Sequence, residues 1–328
     1  MSNFITKYKP KSLNEQEFNI DSIQLIQSLI FANDINIILI GDDGSGKSTI
    51  TDNIIKQYYH DCDDHEIHKN IMHINSLKDQ GTIFCRTDLK SFCQLKSTFV
   101  HKKKIVRIDN IDCVNEQNQH IFRSLIDKYC GNVNFICCAS NTSKIIDQIQ
   151  SRLLMIQLKL PTLNELNLIL QHVLHEEKIT IKNDLQESII KSSKNSISHL
   201  LNNLEKIILS EQKITQKNIH TLCDGINSTS FDTYTKYCIE QNYADAIQLI
   251  TEIYHNGYSI IDILDEYYIY LKNRHLLPDI DTYSIIIHIS SYITNFYNYF
   301  EHEIELIFFT NKLIQCIHNN NNNNNTSD

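Results

Sequence analysis

The chain has 328 residues, of which 41% are hydrophobic, and a formal net charge of -9 at pH 7. This length predicts two or three domains with packed cores, and the negative charge excludes a chain that is basic throughout while leaving a local basic surface possible. We find no long uncharged apolar run and no apolar signal-peptide core near the N-terminus, so we expect a soluble, intracellular protein without a membrane span. The 10 cysteines include no Cys-x-x-Cys pair, which favours reduced, buried thiols over disulfides or zinc.

The first predicted elements frame a glycine-rich loop. Helical spacing over Ile23 to Phe31 is followed by the apolar run Ile35 to Ile40, which is typical of a strand buried on both faces. Residues 41–48 then read G-D-D-G-S-G-K-S, which matches the phosphate-binding pattern G-x-x-x-x-G-K-S, and a helix is predicted from Ser48 to Tyr59. Three of the chain's 7 glycines lie in this loop, where glycine lets backbone N–H groups close around phosphate.

We predict that this loop binds a nucleoside triphosphate together with Mg²⁺. Lys47 is expected to reach the β- and γ-phosphates, and the Ser48 hydroxyl is expected to ligate the metal. The predicted nucleotide contacts in the loop are Gly41, Asp42, Asp43, Gly44, Ser45, Gly46, Lys47, Ser48 and Thr49. The alternative is a strand-to-helix turn that binds nothing, and hydrolysis of the nucleotide is a separate question.

A polar stretch with four histidines occupies residues 60–73. Its spacing matches no zinc site, so we interpret it as a solvated surface loop, with a metal site as the alternative. A short strand is predicted over Ile71 to Asn75 and a helix over Gly81 to Phe99. The lysine run at 102–104 is interpreted as a solvated loop, with a DNA-facing patch as the alternative.

The next strand, Ile105 to Asp109, ends in a carboxylate. An aspartate at the end of a strand beside a phosphate loop is placed to hold Mg²⁺, as the Walker B aspartate does, so Asp109 is a predicted metal ligand together with Ser48. A helix over Glu116 to Tyr129 and an apolar strand over Val133 to Ala139 follow. This alternation predicts a parallel sheet with helices on both faces.

The pattern changes after Pro161. Thr162-Leu163-Asn164-Glu165 has the spacing of a capping box, and helical periodicity continues from there to residue 318. A second break stands at Asp224-Gly225. We therefore expect an α/β domain over 1–160, a helical group over 161–225, a helical bundle over 226–318 and a disordered asparagine-rich tail over 319–328.

With these residues in place, the sequence resembles the small subunits of replication factor C, the clamp-loader ATPases of the AAA+ class. Residues 4–11, FITKYKPK, match the family's opening Trp-x-x-Lys-Tyr-Arg-Pro-Lys segment, and residues 41–48 match its phosphate loop. Residues 74–81, INSLKDQG, are similar to the family's LNASDERG segment. Residues 141–152, NTSKIIDQIQSR, match its NYxSKIIxxxQSRC segment, which is the most specific of these signals.

The resemblance implies a RecA-like AAA+ domain over 1–160, an all-α lid over 161–225 and an all-α collar over 226–318. It implies that Asp109 is the Walker B aspartate and that Arg152 is an arginine finger, acting in trans on ATP held by an adjacent subunit. It also implies nucleotide contacts at Tyr8 and Pro10, and contacts with the DNA backbone at Arg86, Lys90 and Lys144. The alternatives are a salt bridge for Arg152 and a solvated face for the three basic residues.

The chain departs from the family at positions connected with hydrolysis. The family's DEAD box is Asp109-Asn110-Ile111-Asp112 here, and Asn110 cannot accept a proton from the attacking water as glutamate does. The nearby carboxylates that could replace this glutamate are Asp112 and Glu116.

Three further departures concern the sensors and the phosphate loop. The sensor 1 asparagine aligns with Ser140, with Asn141 one position later. The sensor 2 arginine corresponds to Ser198, with His199 beside it. Asp42 and Asp43 stand where the family carries prolines, and they would weaken triphosphate binding unless they point outward.

We therefore predict a subunit of a hetero-pentameric clamp loader that binds ATP and Mg²⁺ and loads a sliding clamp onto primer–template DNA. Its own hydrolysis is expected to be weak, with Arg152 serving a neighbouring site. The implied partners are sibling subunits, the clamp and DNA, with no membrane, in a nuclear or cytoplasmic viral replication compartment. The alternatives are an active ATPase with a substitute acid, a structural ATP-binding subunit without catalysis, and another AAA+ machine such as a replication initiator or helicase loader.

Overall fold

The computed structural model describes residues 3–15, 19–75, 82–210, 226, 228–273, 278–298 and 301–324. The chain forms two compact units, Met1–Cys223 and Asp224–Asp328. This division falls beside Asp224-Gly225, where the sequence predicted a boundary.

The described part of the first unit contains a sheet of five parallel strands in the order β2-β3-β4-β1-β5. β4 is buried along its whole length, which explains its continuous apolar sequence. Because the strands are parallel, the loops that follow β1, β3 and β4 meet at the carboxyl edge of the sheet. The strands are β1 (Ile37–Ile40), β2 (Ile71–Asn75), β3 (Lys104–Asp109), β4 (Val133–Ala139) and β5 (Leu154–Gln157).

Helices cover both faces of this sheet, which confirms the predicted fold class. On one face, Ile37 and Leu39 of β1 pack with Ile54 and with the helices around the phosphate loop. On the other face, Ile38 packs with Phe122 and its neighbours, since successive strand residues point to opposite faces. The helices are α1 (Phe4–Lys7), α2 (Ile20–Phe31), α3 (Lys47–Tyr58), α4 (Asp64–Asn70), α5 (Thr82–Gln94), α6 (Glu116–Tyr129) and α7 (Asp147–Gln150).

A helical group completes the first unit with α8 (Leu163–Glu176), α9 (Asn183–Ser192) and α10 (Ile197–Leu209). α8 begins with the predicted capping box, in which the Thr162 backbone N–H donates to Glu165 at 2.6 Å and the Thr162 hydroxyl accepts from the Glu165 backbone. The group has its own apolar core, and Phe4 from the N-terminal segment is buried in it.

The second unit is helical and consists of α11 (Ser228–Ile239), α12 (Tyr243–His255), α13 (Ile260–Asn273), α14 (Asp279–Asn298) and α15 (Ile304–Asn324). Its core is rich in aromatic residues, and buried tyrosine hydroxyls within it find hydrogen-bond partners. The Tyr234 hydroxyl lies 2.9 Å from that of Thr310, and the Tyr267 hydroxyl lies 3.2 Å from that of Thr235.

Two expectations about the chain differ from the structure. α15 continues to Asn324, so residues 319–324 of the predicted disordered tail are helical; a helix that has nucleated gains a backbone hydrogen bond with each added residue. The rest of that tail lies outside the described residues. The prediction of a solvated lysine run is wrong for Lys104, which is 4% exposed, donates to the Phe92 carbonyl at 3.3 Å and lies 4.4 Å from the Phe92 ring.

Candidate nucleotide site

The phosphate loop joins β1 to the first turn of α3. Gly44 and Gly46 have φ of +85° and +87°, a backbone region that residues with a Cβ rarely adopt. A Cβ at Gly44 would also lie 2.0 Å from the Ser196 Oγ, at the start of α10, and one at Gly41 would lie 3.0 Å from the Leu158 carbonyl. The glycines therefore allow a narrow loop that touches the helical group.

The side chains inside the loop fit a phosphate chain. The Lys47 side chain is only 9% exposed, and its ammonium donates to the Gly41 and Asp42 carbonyls at 2.6 and 3.0 Å. The Ser45 hydroxyl is fully buried and finds no hydrogen-bond partner among the described residues. A buried ammonium, an unsatisfied hydroxyl and backbone in the left-handed region are groups that phosphate oxygens would engage.

The two aspartates of the loop face outward. Asp42 is exposed, and the Asp43 side chain is 99% exposed, with its carboxylate 3.6 Å from the Lys47 ammonium. The Ser140 hydroxyl donates to Asp43 across 3.4 Å. Water screens these outward-facing carboxylates, so they would repel a bound triphosphate only weakly.

The candidate Mg²⁺ ligands lie on the elements that the sequence predicted. Ser48 is exposed in the first turn of α3, half-buried Thr49 follows it, and Asp109 is the last residue of β3. Hydroxyl and carboxylate oxygens suit this cation. However, the Asp109 carboxylate already has two partners, because Arg107 Nε donates to Oδ1 at 3.1 Å and His73 Nε2 lies 2.6 Å from Oδ2.

Arg107 and His73 were not assigned from the sequence. Their signals were available, since Arg107 is a charge between the apolar residues Val106 and Ile108, two positions before Asp109, and residues two apart share a face. His73 stands directly beside Arg107 in the β2–β3 register. Within the described part of the 60–73 stretch, no three His, Cys, Asp or Glu residues form a group that could hold a metal ion.

The residues that could replace the missing glutamate have other contacts. Asp112 accepts hydrogen bonds from the backbone N–H groups of Ser140 and Asn141, both at 3.1 Å, and thereby fixes the turn after β4. Glu116 is 78% exposed and lies 3.8 Å from His120. Asn110 itself has a left-handed backbone, φ +54°, which asparagine tolerates better than most residues with a Cβ.

The sensor positions are polar but lack a permanent cation. The Asn141 side chain accepts from the Ser143 backbone N–H at 2.9 Å and caps a 3₁₀ turn. Ser198 and His199 are exposed in the first turn of α10, close in sequence to Ser196, which lies against Gly44. The start of α10 therefore approaches the loop without an arginine.

Gln119 is a further positioning residue that the sequence reasoning missed. Its buried amide donates to the carbonyls of Val114 and Lys144 at 3.0 and 2.9 Å and accepts from the Ile146 backbone at 3.0 Å. It thereby ties the turn after β3 to the segment that leads to Arg152. Its signal was a polar residue on the buried face of the amphipathic helix α6.

Arg152 lies at the opposite edge of the sheet from the phosphate loop. It stands two residues before Leu154, which begins β5 beside Ile37, the first residue of β1, whereas the phosphate loop begins after Ile40. Its guanidinium pairs with Asp127 of α6 and donates to the Gln148 carbonyl at 2.7 Å. The structure therefore contains the salt bridge named as the alternative and keeps Arg152 away from the loop of its own chain.

The N-terminal segment connects the helical group with α3. Lys7 and the Tyr8 hydroxyl both bind Glu177 at 2.6 Å, and Lys9 pairs with Asp52 of α3. Pro10 is half-buried beside them. Of the predicted DNA contacts, Lys90 and Lys144 are exposed, whereas the side chain of Arg86 in α5 lies outside the described residues.

Comparisons with known proteins agree with this architecture. No protein-family model matches the chain. It is 26% identical over 270 residues to human replication factor C subunit 5, covering 82% of this chain and 78% of that protein. It is 26% identical to Saccharomyces cerevisiae replication factor C subunit 4 over 280 residues, covering 82% of each chain, and 25% identical to rice replication factor C subunit 4 over 272 residues, covering 82% and 80%.

Among solved structures, the Thermotoga maritima RuvB Holliday junction branch migration motor has a similar fold. The TM-score is 0.52 at 16% identity, over 72% of this chain and 80% of RuvB. No helix in the described part of the chain combines the length and apolar character needed to cross a bilayer. The sheet with its phosphate loop and the similarity over four-fifths of the chain lead to one conclusion: the chain is similar to the small subunits of replication factor C and has diverged from them.

Proposed function

We propose that this chain is an ATP-binding subunit of a clamp loader that acts in DNA replication. The observation that carries the proposal is the separation of Arg152 from the phosphate loop. The four residues of β1, Ile37–Ile40, separate the end of the sheet where Arg152 lies from the end where the loop begins. Four strand residues span about 13 Å. An arginine finger at this edge serves ATP on a neighbouring subunit, not its own.

ATP binding is supported by the loop itself. The Lys47 ammonium and the backbone N–H groups of residues 44–48 would hold the phosphates, and Ser48 and Asp109 would hold Mg²⁺. The metal would supply charge neutralisation at the phosphates. Tyr8 and Pro10 belong to the segment that we assign to the base and ribose.

We assign weak hydrolysis to this site. Asn110 cannot serve as a proton acceptor, Asp112 holds a backbone turn and Glu116 faces solvent. No permanent cation stands at the Ser140 or Ser198 sensor positions. Binding of ATP would therefore have a structural role, holding the subunit in the shape that its neighbours require.

The second unit would form the collar that joins sibling subunits. Tyr283 and Ile287 of α14 are 70% and 68% exposed, and Ile304 and Phe308 of α15 are 49% and 54% exposed. Each pair is spaced by four residues, so each forms an apolar strip on one helix face. Exposed apolar strips of this kind suit subunit packing. The sliding clamp and primer–template DNA are the remaining proposed partners, with Lys90, Lys144 and Arg86 as backbone contacts.

ATP turnover of a reconstituted complex tests the proposal. Arg152→Ala should lower turnover at the adjacent site about 10³-fold, the magnitude expected for an arginine finger. Arg123→Ala is the matched control, because Arg123 pairs with the same Asp127 carboxylate, at 3.3 Å. Equal effects of Arg152→Ala and Arg123→Ala would contradict the assignment of the finger.

A further inference from the structure

A cluster of charged side chains links the N-terminal segment to the last residue of β3. Lys9 pairs with Asp52, Asp52 pairs with Arg107, and Arg107 Nε donates to Asp109 at 3.1 Å. His73 closes the cluster at 2.6 Å from the second Asp109 oxygen. Both candidate functions of Asp109, pairing with these residues and holding Mg²⁺, use the same carboxylate.

The position of Arg107 follows from strand geometry. Ile105, Arg107 and Asp109 alternate along β3 and therefore share the face that α3 covers. The Arg107 side chain is 12% exposed, compared with 20% for Asp109 and 29% for Asp52. A guanidinium held between two half-buried carboxylates is screened less by solvent than a surface ion pair.

The charges of the cluster balance without a metal. Lys9 and Arg107 contribute two positive charges, and Asp52 and Asp109 contribute two negative charges, so these four groups sum to zero. Without Arg107 the remaining groups would carry a net charge of -1, which is the sign that attracts Mg²⁺. The guanidinium therefore supplies, from within the chain, positive charge that a metal ion would otherwise bring to Asp109.

We propose that Arg107 is an internal cation that neutralises Asp109 and makes nucleotide binding at this site nearly independent of Mg²⁺. The inference rests on the proposed nucleotide-binding function and adds to it a difference in metal requirement. Phosphate contacts from Lys47 and the loop backbone do not involve Asp109, so they remain available when Mg²⁺ is absent.

Titration of the full chain with a fluorescent N-methylanthraniloyl-ATP, in excess Mg²⁺ and in EDTA, tests the proposal. The affinity of the unaltered chain should differ by less than about threefold between the two media. On a free-energy scale this is less than half of the difference that a tenfold change in affinity represents. In Arg107→Met the ratio of the two affinities should rise to about tenfold or more, because Asp109 loses its guanidinium partner and Mg²⁺ then meets a carboxylate that no arginine neutralises. Arg107→Lys keeps the charge and should retain the ratio of the unaltered chain.

The variants separate a metal effect from a folding defect. In Arg107→Met, Asp52 keeps Lys9 and Asp109 keeps His73, so each carboxylate retains a partner. An unaltered chain that already loses tenfold or more in EDTA, or a ratio that Arg107→Met leaves unchanged, would overturn the inference alone. Absence of binding in both media would overturn the nucleotide-binding function and the inference together.

Discussion

Gly44 offers a sharp test of how the phosphate loop contacts the helical group. In Gly44→Ala, a Cβ is added to a residue with φ +85°, at 2.0 Å from the Ser196 Oγ and 2.8 Å from its Cβ. Left-handed backbone costs about 1 kcal/mol for a residue with a Cβ. The overlap forces Ser196 or the loop to move, which adds about 2 kcal/mol, as overpacking does elsewhere. We therefore expect the free energy of unfolding to fall by about 3 kcal/mol.

Urea unfolding followed by far-ultraviolet circular dichroism measures this loss. Gly257→Ala is the matched control, because Gly257 also has a positive φ, +99°, but an added Cβ would have no atom within 4 Å. This variant should therefore lose only the free energy of the unfavourable backbone conformation, about 1 kcal/mol. Adding Ser196→Gly to Gly44→Ala removes both overlapping atoms and should recover most of the difference. If Gly44→Ala and Gly257→Ala lose the same stability, Ser196 does not lie against the loop and the reasoning is refuted.

Three further predictions follow from burial and charge. Phe4→Ala should lower the free energy of unfolding by about 3 kcal/mol in calorimetry, since Phe4 is 9% exposed in the core of the helical group; a loss below about 1 kcal/mol would contradict this packing. Burial alone would raise the pKa of Asp52, but the hydrogen bond from Lys9 and the neighbouring guanidinium outweigh it and hold that pKa below its usual range. The stability contributed by Asp52 is thus fully present above the unfolded pKa, about 3.9, and is lost as the pH falls through the lower folded value. In urea unfolding, the free energy that Asp52→Asn loses relative to the unaltered chain should therefore shrink below about pH 4. A loss that stays constant with pH would contradict the assignment. Burial raises the pKa of the Cys138 thiol to about 11, so iodoacetamide at pH 8 should label exposed Cys113 faster than Cys138, and equal rates for these two by mass spectrometry would refute the burial of Cys138.

Local signals explain what the sequence predicted well. The phosphate loop could be recognised because glycines, Lys47 and Ser48 are adjacent in sequence, and the strands because apolar runs of the right length flank it. The capping box at Thr162 is likewise a four-residue pattern. Each of these features is decided by neighbours in the chain.

Tertiary contacts explain what the sequence could not supply. His73 reaches Asp109 only because β2 pairs with β3 in one register, and a shift of one residue would turn His73 to the other face. Asp112 was a candidate for the missing base, but in the fold its carboxylate accepts a hydrogen bond from the turn after β4. Lys104 is buried because the Phe92 carbonyl and ring lie beside it, which no local pattern encodes.

Assembly with sibling subunits tests the central claim most directly. This chain would be co-expressed with the other replication factor C-like subunits and the sliding clamp of the same source, and the product weighed by native mass spectrometry with and without ATP. We predict a hetero-oligomer that contains this chain beside different siblings and that binds the clamp when ATP is present. A stable free monomer or a homohexamer of this chain would contradict the account.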